Sequence, residues 1–442
     1  MKSQLSDHFS YRKLIRFSLP SIAMMIFTSI YSVVDGFFVS NFVGKTAFAS
    51  VNLIMPLLMI LGTVGFMLGT GGTALVAMKL GEGNKKKANE YFSLIVYTAI
   101  GLGIFLSVIG QIVIRPVALL LGAKGELLEK SVIYGRVLLI AIPFFMLQVM
   151  FQSFFVAAQK PNLGFVVTFI SGIINMIGDA LLVILLPMEY KILGAAIASS
   201  MAQVVGGVIP LIYFARKNNS ILRLGKTHWN RSVIIKAMSN GASEFMTNIS
   251  MSIVGMLYNV QLMKYIGENG VAAYGVMMYV SMVFVAIFVG YIVGVAPVIS
   301  YNYGARNTEE LKSLLKKSLI IIISIGLIMV VSAEVFAGNL ASIFVGYDAT
   351  LFELTISGFR RYALSFGLMG FGIFISGFFT ALNDGVTSAI ISFFRTMIFE
   401  CGAVMILPLM FGVDGIWFSV VVSESLASLL GIVFIVKGMR NV

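Results

Sequence analysis

Two carboxylates and one amide stand inside stretches of the chain that are otherwise apolar. Asp35 is the only charged residue between Pro20 and itself, and Asn175 and Asp179 lie four residues apart in another apolar run. On a helix this spacing puts Asn175 and Asp179 on one face, a single turn apart. Their oxygens can bind a proton or a small hard cation such as Na⁺. We expect a cation-binding face there and a functional role for Asp35, with neutral helix packing as the alternative for either acid.

The apolar runs that carry these residues are long enough to cross a bilayer. The sequence is 59% hydrophobic and 11% charged, with a mean hydropathy of +0.97, which is typical of a multi-pass membrane protein. Apolar runs of about 20 to 30 residues, each sufficient for one transmembrane helix, occur about twelve times. We therefore predict an all-α membrane protein with about twelve transmembrane helices.

The small number of cysteines and histidines excludes several kinds of site. The single cysteine, Cys401, cannot form a disulfide framework or a multi-thiolate metal centre, and the two histidines, His8 and His228, lie in polar segments. We expect no structural metal site and no catalytic triad, so the protein should not be an enzyme. The Gly-rich run Leu68–Thr73 lacks the Lys of a phosphate-binding loop, and we expect no cofactor.

The net charge of +12 is explained by orientation in the membrane and not by nucleic-acid binding. Lys and Arg collect in short loops between the apolar runs. With the N-terminus inside, 21 of the 31 Lys and Arg residues fall on the inner side and 9 on the outer side, and Arg395 lies within a span. The positive-inside rule then predicts a protein of the cell inner (plasma) membrane with both termini cytoplasmic.

The two halves of the sequence repeat each other. Pairing residue n with residue n + 223 places Leu80–Asn84 on Tyr303–Asn307, and after a gap of about two residues the offset becomes 221. Six helices per half is an even number, so the halves should share one orientation and be related by a pseudo-two-fold axis along the membrane normal. We expect an N-terminal lobe over 1–215, a cytoplasmic linker over 216–231 and a C-terminal lobe over 232–442.

The repeat also shows what the second half lacks. Three polar positions have different counterparts there: Asp35 falls on Tyr258, Asn175 on Thr396 and Asp179 on Glu400. We infer that ion coupling is concentrated in the first half. Glu400 with Thr396 is a second candidate site for an ion or a cationic substrate, while Arg395 could instead neutralise Glu400 or another acid.

A third group of residues is suited to binding an organic molecule. It combines polar and adaptable side chains within the spans: Gln148, Asn259, Tyr279 and Met282. Thioethers and aromatic faces adapt to flat or cationic ligands. We expect these residues in a substrate cavity, with ordinary helix packing as the alternative.

These features together resemble the MATE family, the multidrug and toxic compound extrusion transporters, over nearly the whole chain. The resemblance is carried by Pro20, Asp35, the Gly44–Pro56 stretch, Gly81–Asn84 with its echo in the second half, Asn175 with Asp179, and Gly194–Ala196. The stretch Asn240–Phe245 is similar to the MepA-like bacterial branch of that family.

The resemblance implies an antiporter that exports organic, often cationic, compounds in exchange for H⁺ or Na⁺ by alternating access. It also implies an ion-coupling site formed by Asp35, Asn175 and Asp179, with Ser199 as its hydroxyl, and a first helix that bends near Pro20. If the coupling ion is Na⁺, Asp35 and Asp179 would bind it. The choice between H⁺ and Na⁺ stays open.

Three other functions compete with this interpretation. A flippase for a lipid or lipid-linked saccharide would need a cationic cavity, whereas the charges within the spans are mostly acidic. An intramembrane enzyme would need a paired catalytic motif, and a passive channel would not need acids concentrated in one lobe. We expect a monomer whose partners are the lipid bilayer and small organic cations or other amphiphilic small molecules, with no nucleic acid.

Overall fold

The structure is built from α-helices throughout the residues it describes. The computed structural model describes residues 5–43, 45–346 and 348–438, so Gly44 and both extreme termini lie outside it. The helices of the first half are α1 (Tyr11–Phe38), α2 (Lys45–Gly81), α3 (Lys85–Leu120), α4 (Gly125–Ala157), α5 (Pro161–Leu185) and α6 (Lys191–Ala215). Those of the second half are α7 (Arg231–Asn240), α8 (Ala242–Tyr265), α9 (Glu268–Gly304), α10 (Thr308–Val345), α11 (Ala349–Ala363), α12 (Phe366–Ala381), α13 (Gly385–Phe393) and α14 (Cys401–Gly438). Two π-helical turns, Val39–Val43 and Phe394–Glu400, follow α1 and α13.

The number of transmembrane spans depends on how the broken helices are counted. In the described part of the chain, 9 helices are long and apolar enough to span a membrane, or 10 with the pair α11 and α12, which is bent by 46°. One of them is the continuous 54-residue stretch Gly385–Gly438, about 80 Å long against a hydrocarbon core of about 30 Å. Gly412 interrupts it with φ 58° and ψ −135°, so it supplies two spans. With the more polar α8, 24 residues long, the total reaches the predicted twelve.

Two short loops show the sequence repeat as structure. Between α2 and α3, Gly83 has a left-handed backbone (φ 77°) and the Asn84 side chain accepts a hydrogen bond from the backbone N–H of Lys87 (3.0 Å). Between α9 and α10, Arg306 has φ 55° and Asn307 caps Glu310 in the same way (3.1 Å). A left-handed residue that ends one helix and an Asn that caps the next give a tight turn.

The two halves meet where α1 packs on α9 and where α2 packs on α7, α8 and α9. At one end of this interface, each half places a glycine against the backbone of the other half. A Cβ on Gly81 would overlap the carbonyl oxygen of Tyr301, and a Cβ on Gly304 would overlap that of Met78. The 223-residue offset pairs Gly81 with Gly304 and Met78 with Tyr301, so equivalent residues make the same contact in both directions, as around a two-fold axis. We name these four residues the glycine crossing.

The close contact between the halves extends from this end to about the middle of α1 and α9. A Cβ on Gly294 would lie 2.8 Å from the Cα of Ser18, and farther along, Ser29 Oγ donates a hydrogen bond to the carbonyl oxygen of Met282 (3.4 Å). Beyond that point Ile30 of α1 is exposed. The halves are therefore packed backbone to backbone on the side of the α2–α3 and α9–α10 loops.

The segment before α1 docks onto the second half. The backbone N–H of Phe9 donates to Glu310 Oε1 (3.0 Å), and His8 Nδ1 lies 2.6 Å from Glu310 Oε2. Lys317 Nζ donates to the carbonyl oxygen of Phe9 (2.5 Å). Phe9 is fully buried. The first-half chain is thus fastened to the start of α10.

Candidate functional site

Helices α1, α4, α5 and α6 converge on a buried polar cluster, and small residues set their spacing. Gly172 of α5 lies against aromatic rings of α1, where a Cβ would have no room. Six residues farther along α5, a Cβ on Gly178 would lie 2.8 Å from the Cβ of Ala198 in α6. Asp179 and Ser199 directly follow these two contact residues, so the close approach of α5 and α6 sets their positions.

A chain of hydrogen bonds connects three helices at this point. Asn175 Nδ2 donates to Ser199 Oγ (3.4 Å), and Ser199 Oγ donates to Asp35 Oδ1 (3.4 Å). Asn175 is buried, while Ser199 and Asp35 are half-buried. The structure thus brings together α5, α6 and α1 through the residues expected from the sequence. We name Asp35, Asn175, Asp179 and Ser199 the first-half site.

Asp179 completes the site with buried oxygens that have no donor. Its side chain is 0% exposed, and neither carboxyl oxygen has a hydrogen-bond partner in the described chain; the same holds for Asn175 Oδ1. The carboxyl groups of Asp179 and Asp35 are close enough to interact directly. Two negative charges so close together inside a membrane require a proton or a cation between or on them. The arrangement can therefore take up a small cation.

Tyr134 of α4 is a fifth member that the sequence did not single out. It is fully buried, its hydroxyl has no hydrogen-bond partner in the described chain, and it lies within interaction range of Asp35, Asp179 and Ser199. A phenol can donate to a carboxylate or ligate a cation through its oxygen. The only signal in the sequence was one Tyr in an apolar run, and the chain has 16 Tyr.

The four residues expected in a substrate cavity do not share one environment. Asn259, Tyr279 and Met282 are exposed on α8 and α9, and the Met282 backbone faces α1. Gln148 is buried and donates to Ser171 Oγ (3.3 Å). Gln148 therefore belongs to the interior of the first half, and the other three lie where a molecule could reach them.

In the second half, Arg395 is paired, and its partner is Glu424. Arg395 Nε lies 2.9 Å and 3.0 Å from the two carboxyl oxygens of Glu424, and Arg395 Nη2 lies 2.7 Å from Oε1. The Thr396 hydroxyl donates to the carbonyl oxygen of Ser392 (2.8 Å). Glu400 lies beside the ion pair. Of the two uses suggested for Arg395, neutralising another acid is the one this geometry shows.

Two predictions from the sequence remain to be compared with the structure: the bend at Pro20 and the metal-binding residues. Pro20 lies within α1, which continues as one helix from Tyr11 to Phe38; a bend there during function stays a prediction. Among the described residues no group of three or more His, Cys, Asp or Glu side chains could hold a metal ion. Na⁺ at Asp35 and Asp179 would thus be bound by two carboxylates with help from amide, hydroxyl and phenol oxygens.

Comparison with known proteins gives one consistent result. A model of the MatE family matches residues 20–181 and again residues 245–406. The chain is 25% identical over 435 residues to the multidrug export protein MepA of Staphylococcus haemolyticus, covering 98% of this chain and 94% of that protein. MepA of Staphylococcus aureus is 25% identical over 430 residues, covering 96% and 93%.

Solved structures confirm the fold. The outward-facing conformation of a multidrug resistance MATE family transporter matches with a TM-score of 0.92 at 23% identity, and a MATE protein in the straight conformation with 0.91 at 22%. Each comparison covers 98% of both chains. The expected all-helical membrane fold is therefore confirmed.

Proposed function

Because the chain belongs to the MATE family, a family of multidrug efflux transporters, we propose that it exports organic cations in exchange for H⁺ or Na⁺. The observation that carries this proposal is the first-half site: two neighbouring carboxylates, Asp35 and Asp179, of which Asp179 has two buried oxygens with no hydrogen-bond donor in the described chain. Similarity to multidrug export proteins along nearly the full length supports small organic compounds as the cargo. The protein would work as a monomer.

The coupling would arise from charge in the first-half site. Entry of a proton or Na⁺ neutralises a carboxylate that is otherwise uncompensated away from water. Asp35 belongs to α1, whereas Asn175 and Asp179 belong to α5, so occupation of the site changes how strongly these helices attract each other. Pro20 removes one helical hydrogen bond and gives α1 a place to bend. Ion binding thus selects one position of α1 over another.

The cargo would be released because it competes for the same negative charge. Asn259, Tyr279 and Met282 are exposed on α8 and α9, and aromatic and thioether groups attract organic cations. A cation held near these residues is favoured while the first-half site is negative and loses that attraction when an ion enters. Exchange of ion for cargo across the membrane is alternating access by coupled binding.

The direction of transport follows from the proposed topology. The lobes would be residues 1–215 and 232–442, joined by a cytoplasmic linker over 216–231, with both termini cytoplasmic in the plasma membrane. The glycine crossing then closes the cytoplasmic side, and the state described would be open toward the outside. The cargo would leave from this state, and the coupling ion would enter it.

The test is gradient-driven transport by the purified protein in liposomes. Asp35→Asn removes the titratable oxygen while it preserves size and hydrogen bonding, so efflux of a fluorescent organic cation under an imposed pH or Na⁺ gradient should fall to the level of empty liposomes. Glu189→Gln is the matched control because Glu189 is an exposed acid in the α5–α6 loop, and it should transport normally. Full efflux by Asp35→Asn would refute the assignment.

The same liposomes distinguish the ions and the main alternative. A pH gradient imposed without Na⁺, and a Na⁺ gradient imposed at equal pH, separate H⁺ from Na⁺ coupling. A flippase would instead move a fluorescent lipid or lipid-linked saccharide without a gradient. The excess negative charge of the first-half site disfavours that function, because the anionic pyrophosphate of such a lipid would be repelled.

A further inference from the structure

A groove between α7 and α13 lies outside both polar clusters described above. Its volume is about 540 Å³, and the residues that line it include Arg231, Ile235, Lys236 and Ser239 of α7, with Asp384 and Val386 at the start of α13. The spacing of the four α7 residues puts them on one face of that helix, which forms one wall. We name this space the α7–α13 groove.

Close packing and a pair of amides fix the floor of the groove. A Cβ on Gly385 would overlap the carbonyl oxygen of Ser239, so α7 and α13 touch there. Asn240 Nδ2 donates to Asn383 Oδ1 (2.7 Å), and Asn383 Nδ2 donates to the carbonyl oxygen of Ala74 in α2 (3.5 Å). Asn240 is buried. The groove therefore has a fixed shape and lies at the interface between the halves.

The groove carries an excess of positive charge. Arg231 and Lys236 are exposed, and in the described part of the chain neither is paired with an acid. Asp384 also lines the groove, but its carboxyl oxygen already accepts a hydrogen bond from the backbone N–H of Thr387 (3.1 Å). Two basic side chains without an anion favour a negatively charged group beside them, and phosphate oxygens are suitable acceptors.

An exposed apolar stripe leads away from the groove along the span that begins with α13. Its members, each four residues after the last and between 37% and 65% exposed, are Val386, Ile390, Phe394 and Ile398. Residues four apart lie on one side of a helix, and this stretch is long and apolar enough to cross a membrane. In a bilayer this side contacts acyl chains. Basic side chains at the end of a hydrocarbon-facing stripe match the layout of a phospholipid.

We propose that the α7–α13 groove binds one anionic phospholipid of the bilayer. Its phosphate accepts hydrogen bonds from Arg231 and Lys236, and its chains lie along the stripe that begins at Val386. In the topology proposed above this end is cytoplasmic, so the lipid comes from the leaflet with the negative surface. A zwitterionic phospholipid carries its own cation beside the phosphate and gains less from the two basic side chains. Because Asn383 connects the groove to α2, the bound lipid favours the state in which α2, α7 and α13 are in contact.

The test measures which lipid lies beside the groove, so its result does not depend on the proposed export function. The full-length protein carries Trp229→Phe and Val386→Trp, which leaves the buried Trp417 as a constant background, and is placed in phosphatidylcholine bilayers. Phospholipids brominated on their chains quench a tryptophan that they contact. We expect brominated phosphatidylglycerol to compete for this position about tenfold better than brominated phosphatidylcholine, because two basic side chains favour the anionic lipid and one acid offsets part of that gain.

Arg231→Gln with Lys236→Gln should abolish this preference, and either substitution alone should reduce it to about threefold. Lys312→Gln with Lys316→Gln is the matched control because it removes the same charge from exposed positions of α10, and the preference should stay unchanged. A tryptophan introduced by Ile328→Trp on the exposed side of α10 should show no preference, since no groove lies beside it.

The proposal is overturned if the tryptophan at the groove shows no preference for phosphatidylglycerol, or if the preference survives Arg231→Gln with Lys236→Gln. An equal preference at Ile328→Trp would assign it to the lipid around the whole protein. Relief of the quenching by soluble glycerol 3-phosphate would assign the groove to free anions. Either of these results also overturns the proposal.

Discussion

The glycine crossing predicts which side of the protein opens when one methyl group is added. Gly81→Ala places a Cβ into the backbone of Tyr301, and Gly304→Ala places one into the backbone of Met78. Neither glycine has a positive φ, so alanine strains only the contact and not the local backbone. Overpacking of this kind costs about 1–3 kcal/mol, which shifts a two-state equilibrium about 5- to 150-fold. We expect either variant to favour states in which this end is separated.

Distance measurements between two spin labels can detect this shift. Lys86 and Glu309 are exposed, stand at equivalent positions of the repeat and lie just beyond the crossing. With Cys401 replaced by Ser, labels on Lys86→Cys and Glu309→Cys report the separation of the α2–α3 and α9–α10 loops. The population at longer distances should rise in each glycine variant. The double variant should give less than the sum, because the two contacts are neighbours.

The control for these variants is a helical glycine with free space around it. Gly101 in α3 has nothing within 4 Å of its Cβ position, so Gly101→Ala should leave the label distances unchanged. If Gly81→Ala and Gly304→Ala give the same distance distribution as Gly101→Ala, the crossing does not hold the halves together and the reasoning is wrong.

Three further predictions concern the two polar clusters. Tyr134→Phe should weaken ion binding about 10- to 150-fold, as expected for losing one hydrogen bond to a charged group, with little change in thermal unfolding; an unchanged ion affinity would remove Tyr134 from the site. Arg395→Met should destabilise the protein by about 3–5 kcal/mol because Glu424 is left buried and unpaired, whereas Arg395→Met with Glu424→Leu should recover most of that loss; equal unfolding temperatures for the two variants would contradict the pairing. Gly178→Ala should reduce gradient-driven efflux by separating α5 from α6, and adding Ala198→Gly should restore it; failure of the rescue would mean that this contact does not position the site.

Much of the fold could be predicted from the sequence because hydropathy and repetition are both strong signals. The 223-residue offset predicted which loops are equivalent, and Asn84 and Asn307 indeed cap their helices alike. The division into domains at 215 and 232 stays a prediction. The apolar runs over 386–411 and 415–436 predicted a break between two spans, and the structure has it at Gly412. The left-handed backbone of Gly412 was not foreseen, because a glycine beside an apolar run is as compatible with helix packing as with that conformation.

The candidate site was predictable where spacing on one helix was enough. Asn175 and Asp179 are four apart, and their shared face follows from helix geometry alone. Which Arg pairs with which Glu could not be deduced, because Arg395 and Glu424 lie on different spans and Glu400 is nearer in sequence. Tyr134 was missed for a related reason: its role depends on how α4 packs against α1 and α5, which no local pattern encodes.

The docked tail before α1 has a mechanical consequence. Glu310 and Lys317 belong to α10, yet they bind the backbone of Phe9, so residues 5–10 form a tether across the seam between the halves. When the seam parts, the tether must either travel with α10 and pull on the start of α1, or detach and expose the Phe9 ring to water at a cost of about 1.5–3 kcal/mol. In the first case the pull reaches the helix that carries Asp35, so the two ends of α1 are coupled to the opening of the seam; in the second case the exposed ring opposes that opening.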